Sequence, residues 1–177
     1  RPAPAGLLWP DWDHPVAFIP VDGAEELDEE GSSRSNYSEA AKVLSIVDGL
    51  LQIGDIQTTD IGIITPYNGQ VRVLSDLFEQ AGGREIGEKY SGLEIKSVDG
   101  YQGREKEVIV FSTVRANEQG EVGFLKDKRR LNVALTRAKR GLIVIGHLST
   151  LRQEPTWKSW LDWIEESGLL AWHLAND

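Results

Sequence analysis

The sequence predicts an α/β domain: a mostly parallel sheet with helices on both faces. Three observations carry that prediction. Residues 16–21, 61–65, 108–114 and 142–146 are almost continuously apolar, as strands buried on both sides are. Between them lie stretches whose apolar residues recur at helical spacing. Strands and helices alternate along the chain, which favours parallel pairing through helical crossovers.

Residues 1–15, rich in Pro, Gly and Trp, read as a linker packed by Trp9 and Trp12, leaving 16–177 as the domain. A first strand at 16–21 leads into an acidic loop. The helix at 36–52 carries Val43, Leu44, Val47, Leu50 and Leu51 on one face. The strand at 61–65 ends at Pro66, and a helix at 69–81 follows with Val71, Leu74, Leu77 and Phe78 together, stopped by Gly82 and Gly83. Strands at 93–98 and 108–114 flank an Asp99-Gly100 turn. A helix at 128–138 aligns Leu131, Leu135 and Ala138, which would set Arg130 and Arg137 on a shared face. The strand at 142–146 closes the sheet, and a tail helix at 156–167 groups Trp157, Trp160, Leu161 and Ile164.

At 177 residues, 40% hydrophobic and 27% charged, the chain fits one soluble globular domain. No apolar run approaches membrane-spanning length, and no basic-then-apolar leader opens it. The absence of cysteine excludes disulfides and thiolate metal sites and suits the reducing cytoplasm or nucleus. His14, His147 and His173 show no ligand spacing, so no metal site is expected. A chain that starts at Arg1 and lacks methionine is expected to be part of a longer protein. The net charge of -9 speaks against nucleic acid, but its distribution does not. Asp22, Glu25, Glu26, Asp28, Glu29 and Glu30 crowd one segment read as a solvated loop. Lys126, Lys128, Arg129, Arg130, Arg137, Lys139 and Arg140 make a separate basic cluster, and screening keeps the two fields local, within about 8–10 Å.

Four segments carry chemistry. Asn36 and Glu39, spaced as a capping box ahead of an apolar helix, explain themselves structurally. The segment 65–70 places Pro66, Tyr67 and Asn68 where a strand hands over to a helix, the edge at which open α/β sheets bind ligands. An exposed Tyr67 could stack on a base. In 97–105, Gly100 and Gly103 admit a ligand close to the backbone, with Gln102 and Glu105 beside them. Residues 129–137 present arginines on an amphipathic helix, and fixed guanidinium charge suits polyphosphate.

In order and spacing these segments resemble the second RecA-like domain of superfamily 1B helicases, closest to the up-frameshift and immunoglobulin mu-binding-protein branch. The resemblance covers most of the chain: Trp9-Pro10, Asn36 with Glu39, 65–70 as motif IV, 97–105 as motif V and 132–137 as motif VI, with Val-Arg-Ala-Asn at 114–117 and Gly-Phe-Leu at 123–125. It implies a RecA-like P-loop NTPase fold and an ATP-dependent helicase moving 5′ to 3′. Arg137 would be its arginine finger. Gln102, Gly103, Glu105, Asn36 and Glu39 would serve ATP, with Glu105 at the ribose. Pro66, Tyr67, Asn68, Ser97, Asp99 and Arg130 would follow single-stranded RNA or DNA, with Arg115 and Asn117 as further contacts. Tyr37 stands where parts of the family carry a second basic residue, leaving Arg34 or Arg72 to take its place.

No Gly-x-x-x-x-Gly-Lys-Ser/Thr occurs, and no Asp-Glu pair follows a strand. The phosphate cradle and the Mg²⁺ accompanying ATP are therefore expected on an N-terminal RecA-like partner domain, and these 177 residues alone are expected to be inactive. The competing expectation is a non-catalytic module that binds RNA or protein through the acidic loop and the Trp157, Trp160 and Trp163 tail.

Overall fold

Strand pairing follows the apolar runs. A computed structural model describes residues 2–83, 89–101 and 105–176, apart from the Val133 side chain. Its strands are β1 (Val16–Pro20), β2 (Glu26–Leu27), β3 (Arg34–Ser35), β4 (Ile61–Thr65), β5 (Glu94–Ser97), β6 (Lys106–Ser112) and β7 (Ala138–Gly146). β2 and β3 form a small antiparallel ribbon, and the other five form one sheet in the order β1-β7-β6-β4-β5. Every pair in that sheet is parallel. The helices are α1 (Tyr37–Gln52), α2 (Asn68–Gly82), α3 (Lys128–Leu135), α4 (Leu148–Leu151), α5 (Pro155–Glu166) and α6 (Trp172–Ala175).

Side chains that alternate along a strand point to opposite faces, and the core divides accordingly. Ala17, Ile19, Ile61, Ile63, Val108, Val110, Ile143 and Ile145 face α1 and α2, through Val43, Val47, Leu50, Leu74 and Phe78. Phe18, Ile64, Ile109, Phe111 and Val144 face the opposite layer, where Leu131, Leu151, Trp157, Leu161 and Ile164 pack. Both faces are covered, as the unbroken apolar runs require, and the fold is RecA-like α/β. No helix among the described residues is long and apolar enough to cross a membrane.

Three local expectations need correction. Residues 2–15 form no helix or strand, and only one of their two tryptophans packs. Trp9 is buried, its ring lying where a Cβ on Gly141 would sit, whereas Trp12 is exposed. The helix expected at 128–138 stops at Leu135, and Ala138 opens β7 instead of extending a helical face. Thr136 Oγ1 donates to the Asn132 carbonyl, and the Thr136 N–H bonds Ala134 and Asn132 carbonyls, which tightens and ends the last turn. Arg130 therefore lies on α3, whereas Arg137 lies in the turn between α3 and β7.

Parallel strands give the sheet two chemically distinct edges. Val21, Pro66, Val98, Thr113 and His147 follow the carboxyl ends of the five strands. Glu105 and Arg137 precede the amino ends of β6 and β7. Seven residues of β6 separate the two edges, roughly 20 Å or more at ~3.3 Å per residue.

Candidate functional site

At the carboxyl edge, Asn36 caps α1: its Oδ1 accepts the Glu39 backbone N–H at 3.1 Å. The reciprocal half of a capping box is missing. The Asn36 N–H donates to Gln70 Oε1 at 2.9 Å, and the Glu39 carboxyl reaches across to the end of β6. There Glu39 Oε1 accepts from Ser112 Oγ at 2.8 Å and from the Val114 N–H at 2.9 Å. Asn36 Nδ2 donates to the Val114 carbonyl at 3.0 Å and to the Gly23 carbonyl at 2.8 Å, and lies 3.3 Å from Glu39 Oε2. Gln70 Nε2 closes the network on the Asn36 carbonyl and Ser112 Oγ.

Asn36, Glu39, Gln70 and Ser112 have no exposed surface. Val114 is held at φ 72°, a conformation that a β-branched residue adopts only under constraint. Both of its backbone polar groups are gripped, one by Glu39 and one by Asn36. Burial pushes the Glu39 carboxyl up to about 8, against hydrogen bonds from Val114, Ser112 and Thr113 that pull it down. Two of the residues expected to meet ATP, Asn36 and Glu39, are thus enclosed within the domain and hydrogen-bonded to its own backbone and side chains.

The neighbouring residue, Arg115, is also internal. Its Nε donates to Glu25 Oε1 at 3.1 Å and its Nη1 to the Tyr67 hydroxyl at 3.0 Å. Glu25 further accepts the Ala116 N–H at 2.9 Å and Asn117 Nδ2 at 2.6 Å, and pairs with Arg34 Nε at 2.9 Å. Burial raises the Glu25 carboxyl, but the bonds from Asn117, Ala116 and Arg115 outweigh it and leave it below its ordinary value. Glu25 is therefore no solvated member of an acidic loop. Arg34 is committed to Glu25, and Arg72 to Asp28 at 3.1 Å, so both arginines offered as substitutes at the Tyr37 position already have carboxylate partners. Tyr37 itself is exposed at the first turn of α1.

Of the residues expected along a single strand, Pro66, Asp99 and Arg130 come together beyond the carboxyl ends of β4 and β5, Ser97 being the last residue of β5 and Asn68 the first of α2. Asn68 is exposed at the start of α2. Ser97 Oγ accepts the Gly100 N–H at 3.0 Å, shaping the turn that carries Asp99, whose Oδ1 lies 3.2 Å from Arg130 Nε. Pro66, Val98, Asp99, Phe124, Arg130 and Leu131 line one small niche. Tyr67 departs from the expectation of an exposed ring. It is 6% exposed, and its hydroxyl is tied to Arg115 and, at 3.5 Å, to the Val122 carbonyl. The exposed aromatic here is Phe124, at 54%, which entered the sequence reading only as the centre of Gly-Phe-Leu.

At the amino edge the pattern reverses. Arg137 sits between α3 and β7, its carbonyl accepting the Lys106 N–H at 3.0 Å. Its Nε is buried without a hydrogen-bond partner, and among the described residues no carboxylate lies within ion-pair distance of it. Glu105 is largely exposed, its carboxylate 3.8 Å from Lys139 Nζ. Tyr101 is buried beside this edge; burial raises its hydroxyl, which the charge on Arg137 partly offsets. Gln102 and Gly103 lie outside the described residues. No group of three or more His, Asp or Glu side chains among the described residues is arranged to hold a metal ion.

Residues 3–149 match the family model described as an AAA domain. The chain belongs to the AAA-domain family. Its place within it is with superfamily 1 helicase domains of the kind found in regulators of nonsense transcripts, as the ordered motifs implied. The AAA domain is 40% identical over 171 residues to regulator of nonsense transcripts 1 from Dictyostelium discoideum, covering 97% of this chain and 13% of that protein. It is 44% identical over 163 residues to a putative regulator of nonsense transcripts 1 from Takifugu rubripes, covering 92% of this chain and 15% of the relative. It is 40% identical over 163 residues to the ATP-dependent helicase NAM7 of Saccharomyces cerevisiae, covering 92% of this chain and 17% of that protein. The AAA domain thus spans less than a fifth of the length of these relatives.

Proposed function

We propose that this domain is the C-terminal motor lobe of an ATP-dependent RNA or DNA helicase. Its amino edge closes on ATP and Mg²⁺ held by an N-terminal RecA-like lobe, and its carboxyl edge grips the strand. The observation that carries the proposal is the state of Arg137. A guanidinium cannot discard its charge, and one left half-buried without a carboxylate is costly unless an anion arrives. Arg34, Arg72, Arg115, Arg130, Arg140 and Arg152 each have a carboxylate partner. Among the described residues Arg129 and Arg137 have none, and of these two Arg129 is exposed whereas Arg137 buries its Nε.

In this reading Arg137 reaches the γ-phosphate when the lobes close, stabilising charge that develops in the transition state. Glu105, exposed beside it, meets the ribose. Pro66, Asn68, Ser97, Asp99 and Arg130 contact the strand some 20 Å away across the sheet, a separation that lets lobe closure move a grip on the backbone. Directional 5′-to-3′ movement and a role in nonsense-transcript regulation, the role carried in the relatives' names, belong to the same reading.

The test is ATP hydrolysis by the full-length protein with and without single-stranded RNA or DNA. Arg137→Ala is expected to lower kcat by roughly 10³-fold or more. ATP affinity and strand affinity should stay close to wild type. Turnover that survives the substitution would remove Arg137 from the mechanism.

A further inference from the structure

The aromatic side chain that the fold presents at the strand-binding edge is Phe124. Tyr67 turns its ring inward, and its centroid lies 5.5 Å from that of Phe124 at an interplanar angle of 53°. Tyr67 therefore backs Phe124 from within the domain. The Arg130 guanidinium stands 5.9 Å from the Phe124 centroid, within reach of a cation–π contact. Pro66 and Asp99 complete the rim of the niche.

The support beneath the ring is rigid. Phe124 belongs to a short 3-10 turn, Gly123–Lys126, whose next residue Leu125 is buried. The Leu125 carbonyl accepts the Trp157 indole N–H at 2.9 Å, which fastens the turn to α5. Gly123 has φ +51°, and a Cβ there would fall 2.5 Å from Arg115 Nη1 and 2.7 Å from the Tyr67 hydroxyl. Glycine lets the turn seat directly on the Arg115–Tyr67 pair. Lys126, Lys128, Arg129 and Arg130, which follow Phe124 in the chain, are all exposed, and Asp99 and Asp127 are both engaged with Arg130.

A half-exposed ring braced from behind and flanked by cations fits a polyanion that carries flat apolar groups, which is single-stranded nucleic acid. We infer that Phe124 is the stacking platform for one base of the bound strand, with Tyr67 as its brace and Arg130 on the adjoining phosphate. This inference rests on the strand-binding reading above and assigns the base contact to a residue that reading did not include.

The experiment measures binding of a labelled polyuridine oligonucleotide to the full-length protein over a series of salt concentrations. Phe124→Ala and Phe124→Leu are both expected to weaken binding by roughly 5- to 150-fold, because leucine keeps apolar volume but has no π face. Phe124→Trp should bind as tightly as wild type. The slope of log affinity against log salt should not change, since stacking releases no counterions, whereas Arg130→Ala should flatten it by about 0.7. Wild-type affinity in Phe124→Ala, or Phe124→Leu matching Phe124→Trp, would overturn the platform and leave the strand-binding reading standing. A wild-type protein that binds no polyuridine would instead remove that reading, and the platform with it.

Discussion

The carboxyl-edge network around Glu39 and the amino-edge wall around Arg137 look alike in sequence, since each pairs charged and amide side chains at an element boundary. In the structure they are opposites. Asn36, Glu39, Gln70, Ser112 and the backbone of Val114 satisfy one another with no exposed surface. Arg137 finds no hydrogen-bond partner for its Nε, and Glu105 faces solvent. The difference teaches which polar residues the fold consumes and which it leaves over. A buried donor or acceptor without a partner costs about 1–3 kcal/mol, so the satisfied groups hold the structure, and the unsatisfied Arg137 Nε is the one that the proposed function gives to a ligand.

Breaking the enclosed side should cost stability before anything else. Glu39→Ala strips partners from the Val114 N–H, Ser112 Oγ and Asn36 Nδ2, and releases the clamp on a strained residue. We expect a loss of at least about 3 kcal/mol in denaturant unfolding. Activity per folded molecule should be retained. Unaltered stability with lost ATP affinity would move Glu39 to the ligand.

A pH-dependent effect at the same residue sharpens the point. The folded Glu39 carboxyl titrates at about 8, above its ordinary 4.5, so between those values the native state holds a proton that the unfolded chain lacks. Stability from this group is therefore complete below about pH 4.5 and declines as pH rises toward 8, by up to about 1.4 kcal/mol per pH unit. Glu39→Gln, which mimics the neutral form, should flatten that decline in thermal melts taken from pH 5 to pH 8. An equally steep decline in the variant would place the titration elsewhere.

The smallest effect is expected at Arg72. Its pair with Asp28 is solvent-exposed on the arginine side, so Arg72→Ala should change stability by less than about 1 kcal/mol. Turnover should change by less than about twofold, since losing a γ-phosphate contact would cost far more. A large fall in kcat would show that Arg72 supplies the basic group missing at Tyr37.

Much of this molecule was legible in the sequence because its helices are amphipathic and its central strands are buried on both faces. The start of β7 was not. Ala138, Lys139 and Arg140 are not an apolar run, yet Ala138 pairs with Lys106 and extends the strand four residues ahead of its apolar segment, which shortens α3 and repositions Arg137. The inward turn of Tyr67 depends on Arg115, 48 residues away, and Arg115 in turn on Glu25, 90 residues away. No local pattern encodes contacts of that range. The Asn36 and Glu39 spacing correctly announced a helix cap, but the destination of the Glu39 carboxyl, at Ser112 and Val114, is a tertiary fact. Phe124 was visible only as a residue type, because its exposure follows from Tyr67 occupying the interior beside it.

The division between the two edges is tested most directly by measuring kcat and melting temperature together for Arg137→Ala and Glu39→Ala in the full-length protein. The prediction is a double dissociation: Arg137→Ala loses roughly 10³-fold or more in kcat and melts like wild type, whereas Glu39→Ala melts early and keeps its turnover while folded. An Arg137→Ala protein that melts early and hydrolyses ATP normally would contradict it, making Arg137 part of the scaffold and leaving the amino edge without the catalytic charge proposed for it.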